Sequence, residues 1–142
     1  MQKSIPYGRQ NISQEDIDVV INVLKSDFLT QGPSIAAFES EFANYVDAKY
    51  AVAVSNGTTA LHLSALALGV KKGSKVITTP ITFAASANCI KYCDGEVVFA
   101  DINPDNFLID IQKIRSLLEN SPKGTYSGII PVDFAGYPID TE

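Results

Sequence analysis

The sequence has little arginine, histidine or cysteine and no long apolar run. Arg9 and Arg115 are its only arginines, the net charge is -5, and no basic stripe is present to offset the phosphates of a nucleic acid. Nucleic acid is therefore disfavoured as a partner. No stretch reaches the roughly 18 to 20 apolar residues that span a bilayer, so no membrane partner is expected. The opening MQKSIPYGRQ has no apolar segment of the secretory type, and the expected location is cytoplasmic. Cys89 and Cys93 stand four apart in a helix-like stretch, but the single histidine, His62, lies in another element. With no second pair of soft ligands, no metal site is expected, and the two cysteines read as buried, reduced thiols.

What is present is an ordinary globular composition. The 142 residues have the length of one domain, and 46% hydrophobic against 19% charged residues is enough to fill a core. Residues 13–27 pattern as a helix, with Ser13 as N-cap, Asp16 three residues on, and Ile17, Val20, Ile21 and Leu24 on one face. Gly32-Pro33 breaks the chain after FLTQGP, and residues 34–47 repeat the pattern with Ile35, Phe38, Phe42 and Tyr45. From Tyr50 the texture changes. YAVAVS (50–55), KVITT, EVVFADI and SGIIPVDF read as strands; TTALHLSALALG, FAASANCIKYC and DIQKIRSLLEN read as helices, with Gly69 and Asp110 as caps. Strands alternating with helices predict an α/β fold with a mostly parallel sheet covered on both faces. The helix after Gly57 is apolar nearly all round, which predicts burial on several sides, by more of the same protein or by a second subunit.

The turn between the 50–55 run and that helix carries Ser55, Asn56, Gly57, Thr58 and Thr59. Free N–H groups and the positive end of the helix dipole make such a corner ready for an anion, and Gly57 with two hydroxyls suits a phosphate. The spelling is neither that of a Walker loop nor that of a dinucleotide-binding turn. Simple capping of a core helix by Asn56 and Thr58 is the alternative. Phe83, just past the Pro80 that ends the next strand, could stack on a flat ring at the same sheet edge, or could be a core residue.

Four segments in this order, FLTQGP, SNGTTALHLSALALG, TTPITFAASANCI and IIPVDFAG, together with the opening IPYGRQNIS, resemble the DegT/StrS group of pyridoxal-phosphate sugar aminotransferases. The likeness covers nearly the whole chain. It implies the three-layer α/β/α large domain of fold type I transferases, truncated. Residues 1–48 would be an N-terminal helical segment with a substrate-side loop, and 49–142 the first, incomplete part of the cofactor-binding domain. It also implies that Gly57, Thr58 and Thr59 hold the phosphate of pyridoxal 5'-phosphate, that Phe83 stacks on its ring, and that Tyr7 and Thr30 lie beside the substrate.

The VDFAG ending is similar to transaminases of the pseudaminic acid pathway, so a UDP-linked 4-keto-6-deoxy-N-acetyl sugar and L-glutamate are the implied substrates, and a homodimer the implied assembly. The nine lysines (Lys3, Lys25, Lys49, Lys71, Lys72, Lys75, Lys91, Lys113 and Lys123) do not stand in the family's lysine motif. The catalytic lysine, and the aspartate that pairs with the ring nitrogen, are thus expected beyond Glu142, with no catalytic residue in this chain and little activity from it alone. A sister chemistry is a sugar dehydratase that uses pyridoxamine phosphate. A further alternative is a non-catalytic α/β module binding a phosphorylated ligand.

Overall fold

The computed structural model describes residues 8–140, which fall into two compact units dividing between Ala53 and Val54. The first unit is helical. Helix α1 (Gln14–Leu24) opens on Ser13, whose side chain accepts from the Asp16 N–H while the Asp16 carboxylate accepts from the Ser13 N–H at 2.8 Å. The sequence expectation of a capping box is thus met in full. Helix α2 (Pro33–Tyr45) starts on the proline itself, at the first-turn position where the missing N–H costs nothing. It ends at Asp47, in the left-handed region at φ 52°, with the Ala48 N–H returning to the Ala43 carbonyl. Phe38 and Phe42 stack with ring centroids 5.9 Å apart. The apolar stripe of α1 is open to solvent, since no residue of that helix is buried.

Residues 50–54 depart from expectation. They form no strand among the described residues, although their β-formers suit one. A strand exists through its ladder partner, and among the described residues this segment pairs with none; the Ala53 N–H donates instead to the Glu39 carboxylate at 2.8 Å, and the Lys49 ammonium lies 5.1 Å over the Tyr50 ring.

The second unit carries the sheet. Strands β1 (Lys75–Thr78), β2 (Glu96–Phe99) and β3 (Tyr126–Ile130) are all parallel and lie in the order β2-β1-β3. Helices α3 (Gly57–Ala67) and α4 (Ala85–Tyr92) cover one face, and α5 (Ile111–Glu119) the other. The period-two rule explains the split. Val76 joins Ala65, Val70, Cys89, Ile90 and Cys93 on the α3/α4 side, while Ile77 joins Ala100, Ile109 and Ile114 on the α5 side.

A register shift between Lys75 and Val76 makes Lys75 face Tyr126 and Val76 face Gly128, so Ser127 is the extra residue. That bulge turns Tyr126 to the α5 side, whereas Ile130 keeps to the α3/α4 side. Ile77 and Ile90, both fully buried, each contribute about 1.5–3 kcal/mol by leaving water.

Helix α3 ends as expected at Gly69, φ 79°, with the Val70 N–H bonded to the Ala65 carbonyl and the Gly69 N–H to Leu66. Helix α4 ends the same way with Asp94 in the left-handed position, φ 57°, and the Gly95 N–H on the Ile90 carbonyl. Only glycine fits next, because a Cβ on Gly95 would sit 2.8 Å from Ile90 Cγ2 and 3.1 Å from Val70 Cγ1. That approach joins the two C-terminal ends. Helices α3 and α4 therefore run in the same direction, and their N-termini share the other end of the layer.

The burial expected for α3 is not supplied by this chain: within the helix only Ala65 is buried, while Leu63, Leu66 and the capping Leu68 are exposed. Among the described residues, no helix is long and apolar enough to cross a membrane.

Candidate functional site

The shared end of α3 and α4 is also the end to which β1 delivers the chain, because α4 follows β1 directly. In open parallel sheets, the carboxyl ends of the strands are where ligands settle. Two corners meet the solvent there.

The first corner is the start of α3. Asn56 is its N-cap, and its Oδ1 accepts from the Thr59 N–H at 2.9 Å and from the Thr59 hydroxyl at 3.1 Å. Ser55 Oγ shares a hydrogen bond with Thr59 Oγ1 at 3.2 Å and accepts from Asn56 Nδ2 at 3.3 Å. The Thr59 donors are thus turned inward, into a closed network that shapes the turn.

What remains outward is different. The N–H groups of Gly57 and Thr58 and the Thr58 hydroxyl have no partner among the described residues. A Cβ built on Gly57 would meet nothing within 4 Å, so the space before the turn is open. The first turn of α3 has no acidic residue to offset the helix dipole. Between Asp47 and Asp94 the chain has no carboxylate side chain at all, but has Lys49, Lys71, Lys72, Lys75 and Lys91. This donor set fits a phosphate: outward N–H groups, one free hydroxyl and an uncompensated positive helix end.

The second corner runs from the end of β1 into α4. Thr78 donates its hydroxyl to the Ile130 carbonyl at 2.9 Å, tying β1 to β3. The Thr79 hydroxyl is buried with no partner among the described residues. Phe83 stands 78% exposed, a large apolar ring left in water. Within this chain it is not packed into the core. Beside it, Thr82 and Ser86 share a 2.8 Å hydrogen bond between their hydroxyls. Sequence reasoning did not single out that pair; its signal was a Thr and a Ser spaced i, i+4 across a helix start.

Thr30 lies exposed in the loop between α1 and α2, in the first unit, beside Gln31 at φ 51°. Tyr7 lies outside the described residues. His62 packs its ring edgewise on Tyr92 at 5.3 Å, a contact between α3 and α4. Cys89 and Cys93 are free and buried, as expected; burial pushes the Cys89 thiol pKa up, and its Sγ donates to the Ser86 carbonyl at 3.2 Å. Among the described residues no cluster of three metal-ligating side chains occurs.

The spore coat polysaccharide biosynthesis protein SpsC of Bacillus subtilis is 38% identical over 138 residues, which are 97% of this chain and 34% of SpsC. Spr1654 of Streptococcus pneumoniae, solved in PMP and PLP forms, superposes with TM-score 0.85 at 30% identity over 97% of this chain and 34% of its own. PseC of Helicobacter pylori, an aminotransferase involved in the biosynthesis of pseudoaminic acid, superposes with TM-score 0.83 at 29% identity over 97% of this chain and 36% of its own. The chain thus spans about a third of the length of these relatives. Residues 10–142 match the DegT/DnrJ/EryC1/StrS aminotransferase family, and the chain belongs to that family.

Proposed function

We propose that this chain forms the N-terminal part of a pyridoxal-phosphate-dependent aminotransferase that moves an amino group from L-glutamate to a nucleotide-linked 4-keto-6-deoxy sugar, for a surface polysaccharide or glycan. The observation that carries the reading is the open N-terminus of α3. It has free N–H groups on Gly57 and Thr58, a free Thr58 hydroxyl and no first-turn acid, and it shares an end of the layer with the exposed Phe83. Family membership and the sugar-related relatives support the substrate class.

In this reading Thr58 and the amides of Gly57 and Thr58 bind the coenzyme phosphate. Thr59, with Asn56 and Ser55, keeps the turn in the shape that presents those donors. Phe83 lies against one face of the ring, holds its plane and excludes water from that face. Bound there, pyridoxal phosphate supplies an electron sink for bond changes at the amine-bearing carbon. Tyr7 and Thr30 serve the sugar side, and the catalytic lysine and the aspartate that meets the ring nitrogen come from outside these residues. The working protein is a cytoplasmic homodimer, in which a second subunit completes the site and covers apolar surface such as Leu63, Leu66 and Leu68.

The test is product analysis with the full-length protein, pyridoxal phosphate, L-glutamate and UDP-linked 4-keto-6-deoxy-N-acetyl sugar. The expected products are 2-oxoglutarate and a 4-amino sugar nucleotide in equal amounts. A dehydrated sugar in place of the 4-amino sugar nucleotide would assign the sister chemistry instead, and no reaction with any 4-keto sugar nucleotide would remove the reading.

A further inference from the structure

Thr82 and Ser86 bracket Phe83 at the point where β1 gives way to α4. Their hydroxyls share a 2.8 Å hydrogen bond, and Ser86 is only 7% exposed. Helix α4 lacks the usual side-chain cap: its N-cap residue is Ala84, which offers the helix no hydrogen bond. The turn is closed instead by the Ser86 N–H on the Phe83 carbonyl at 3.1 Å and the Asn88 N–H on the Ala84 carbonyl at 2.9 Å. The hydroxyl pair adds a side-chain clamp from the residue before Phe83 to the residue three after it. Phe83 stacks on no other aromatic ring among the described residues and is 78% exposed, so little packing besides the backbone on either side holds the ring.

We propose that the Thr82–Ser86 pair is a positioning device for Phe83, fixing the direction from which its ring meets a flat bound ring. This rests on the stacking role given to Phe83 above. Stacking rewards a defined plane, and an exposed aromatic on an unclamped corner would lose part of that gain in ordering the loop. The pair is buried enough to be rigid and lies close enough to Phe83 to act on it without touching the ligand.

A purely structural pair behaves differently under substitution. Removing the Thr82 hydroxyl leaves that of the buried Ser86 short of a partner, whereas removing both leaves no polar group to satisfy. Fold stability should therefore recover in the double variant Thr82→Val/Ser86→Ala, but ring orientation should not.

The experiment uses the full-length protein loaded with pyridoxal phosphate. It records the visible circular dichroism of the bound coenzyme, its release rate and the melting temperature. Phe83→Leu and the double variant should both weaken the dichroic band and speed release, by about 2- to 10-fold. The double variant should melt close to the unaltered protein, and Thr82→Ser should keep the original band. If the double variant does not fold, Ser86→Ala alone replaces it, since the half-buried Thr82 hydroxyl can turn to water. An altered band with Phe83→Leu but an unaltered one in the pair variants would overturn the positioning role and leave the stacking role standing. No change with Phe83→Leu itself would remove the stacking role and this inference together.

Discussion

Helices α1 and α3 begin with the same problem and solve it differently. Each opens on a small polar residue, Ser13 or Asn56, that accepts from the N–H three positions on. In α1 the solution is closed. Asp16 returns the bond to Ser13, and Glu15 and Asp16 place two carboxylates on the positive end of the helix. In α3 the third position is Thr59, which folds its hydroxyl back to Asn56 and brings no charge. The end of α1 needs nothing further, while the end of α3 retains an electrostatic demand. A capping residue does not by itself separate structural ends from binding ends. In α1 the next three residues compensate the helix end, and in α3 they leave it uncompensated.

The comparison can be broken most severely by making α3 like α1. Thr59→Glu should install a capping box with Asn56 and keep the fold. In the full-length protein it should also lower pyridoxal-phosphate retention more than about tenfold, because a carboxylate beside the phosphate replaces attraction with repulsion. Equilibrium dialysis of the coenzyme checks this, and undiminished retention in a folded variant would erase the distinction between the two ends.

A milder pair sharpens it. Ser13→Ala and Asn56→Ala should each cost about 1 kcal/mol of stability, read by urea unfolding, because each removes an N-cap. Only Asn56→Ala should also loosen the coenzyme. Equal effects of the two on retention would mean that Asn56 acts through overall stability alone.

The smallest effect concerns the core under α3 and α4. Burial raises the Cys89 pKa above its ordinary value, so the unfolded thiol ionises first as the pH climbs. Stability that is intact below the ordinary thiol range should then decline as the pH rises through it and toward the raised value. Urea midpoints measured across that range should fall more for the natural sequence than for Cys89→Ala; parallel curves would show that Cys89 is not the group responsible.

Much of the fold was legible because it rests on local rules. The Ser13–Asp16 box, the Asp110 cap of α5, Gly69 at the end of α3 and the alternation of Val76 with Ile77 all follow from residue type and spacing. Residues 50–54 were misread as a strand because β-formers state a capacity, and the partner that would realise it is not in the local sequence. The turn of Tyr126 to the α5 side was hidden for a related reason: the bulge at Ser127 belongs to the pairing of β3 with β1. At the site, Gly57 and Thr58 were legible as donors. The inward turn of the Thr59 hydroxyl was not, since Asn56 could have met the backbone alone. The Thr82–Ser86 pair was likewise invisible without knowing that Ser86 is buried.

The central claim is that the outward donors at the start of α3, and Thr58 above all, hold the phosphate. The most direct measurement is the dissociation constant of pyridoxal phosphate for the full-length protein as Thr58→Ala and, separately, as Thr59→Val. Loss of a charge-assisted hydrogen bond should weaken binding by about 10- to 100-fold in Thr58→Ala, with a smaller loss in Thr59→Val, where only the shaping of the turn is touched. Unchanged affinity in a folded Thr58→Ala protein would contradict the account.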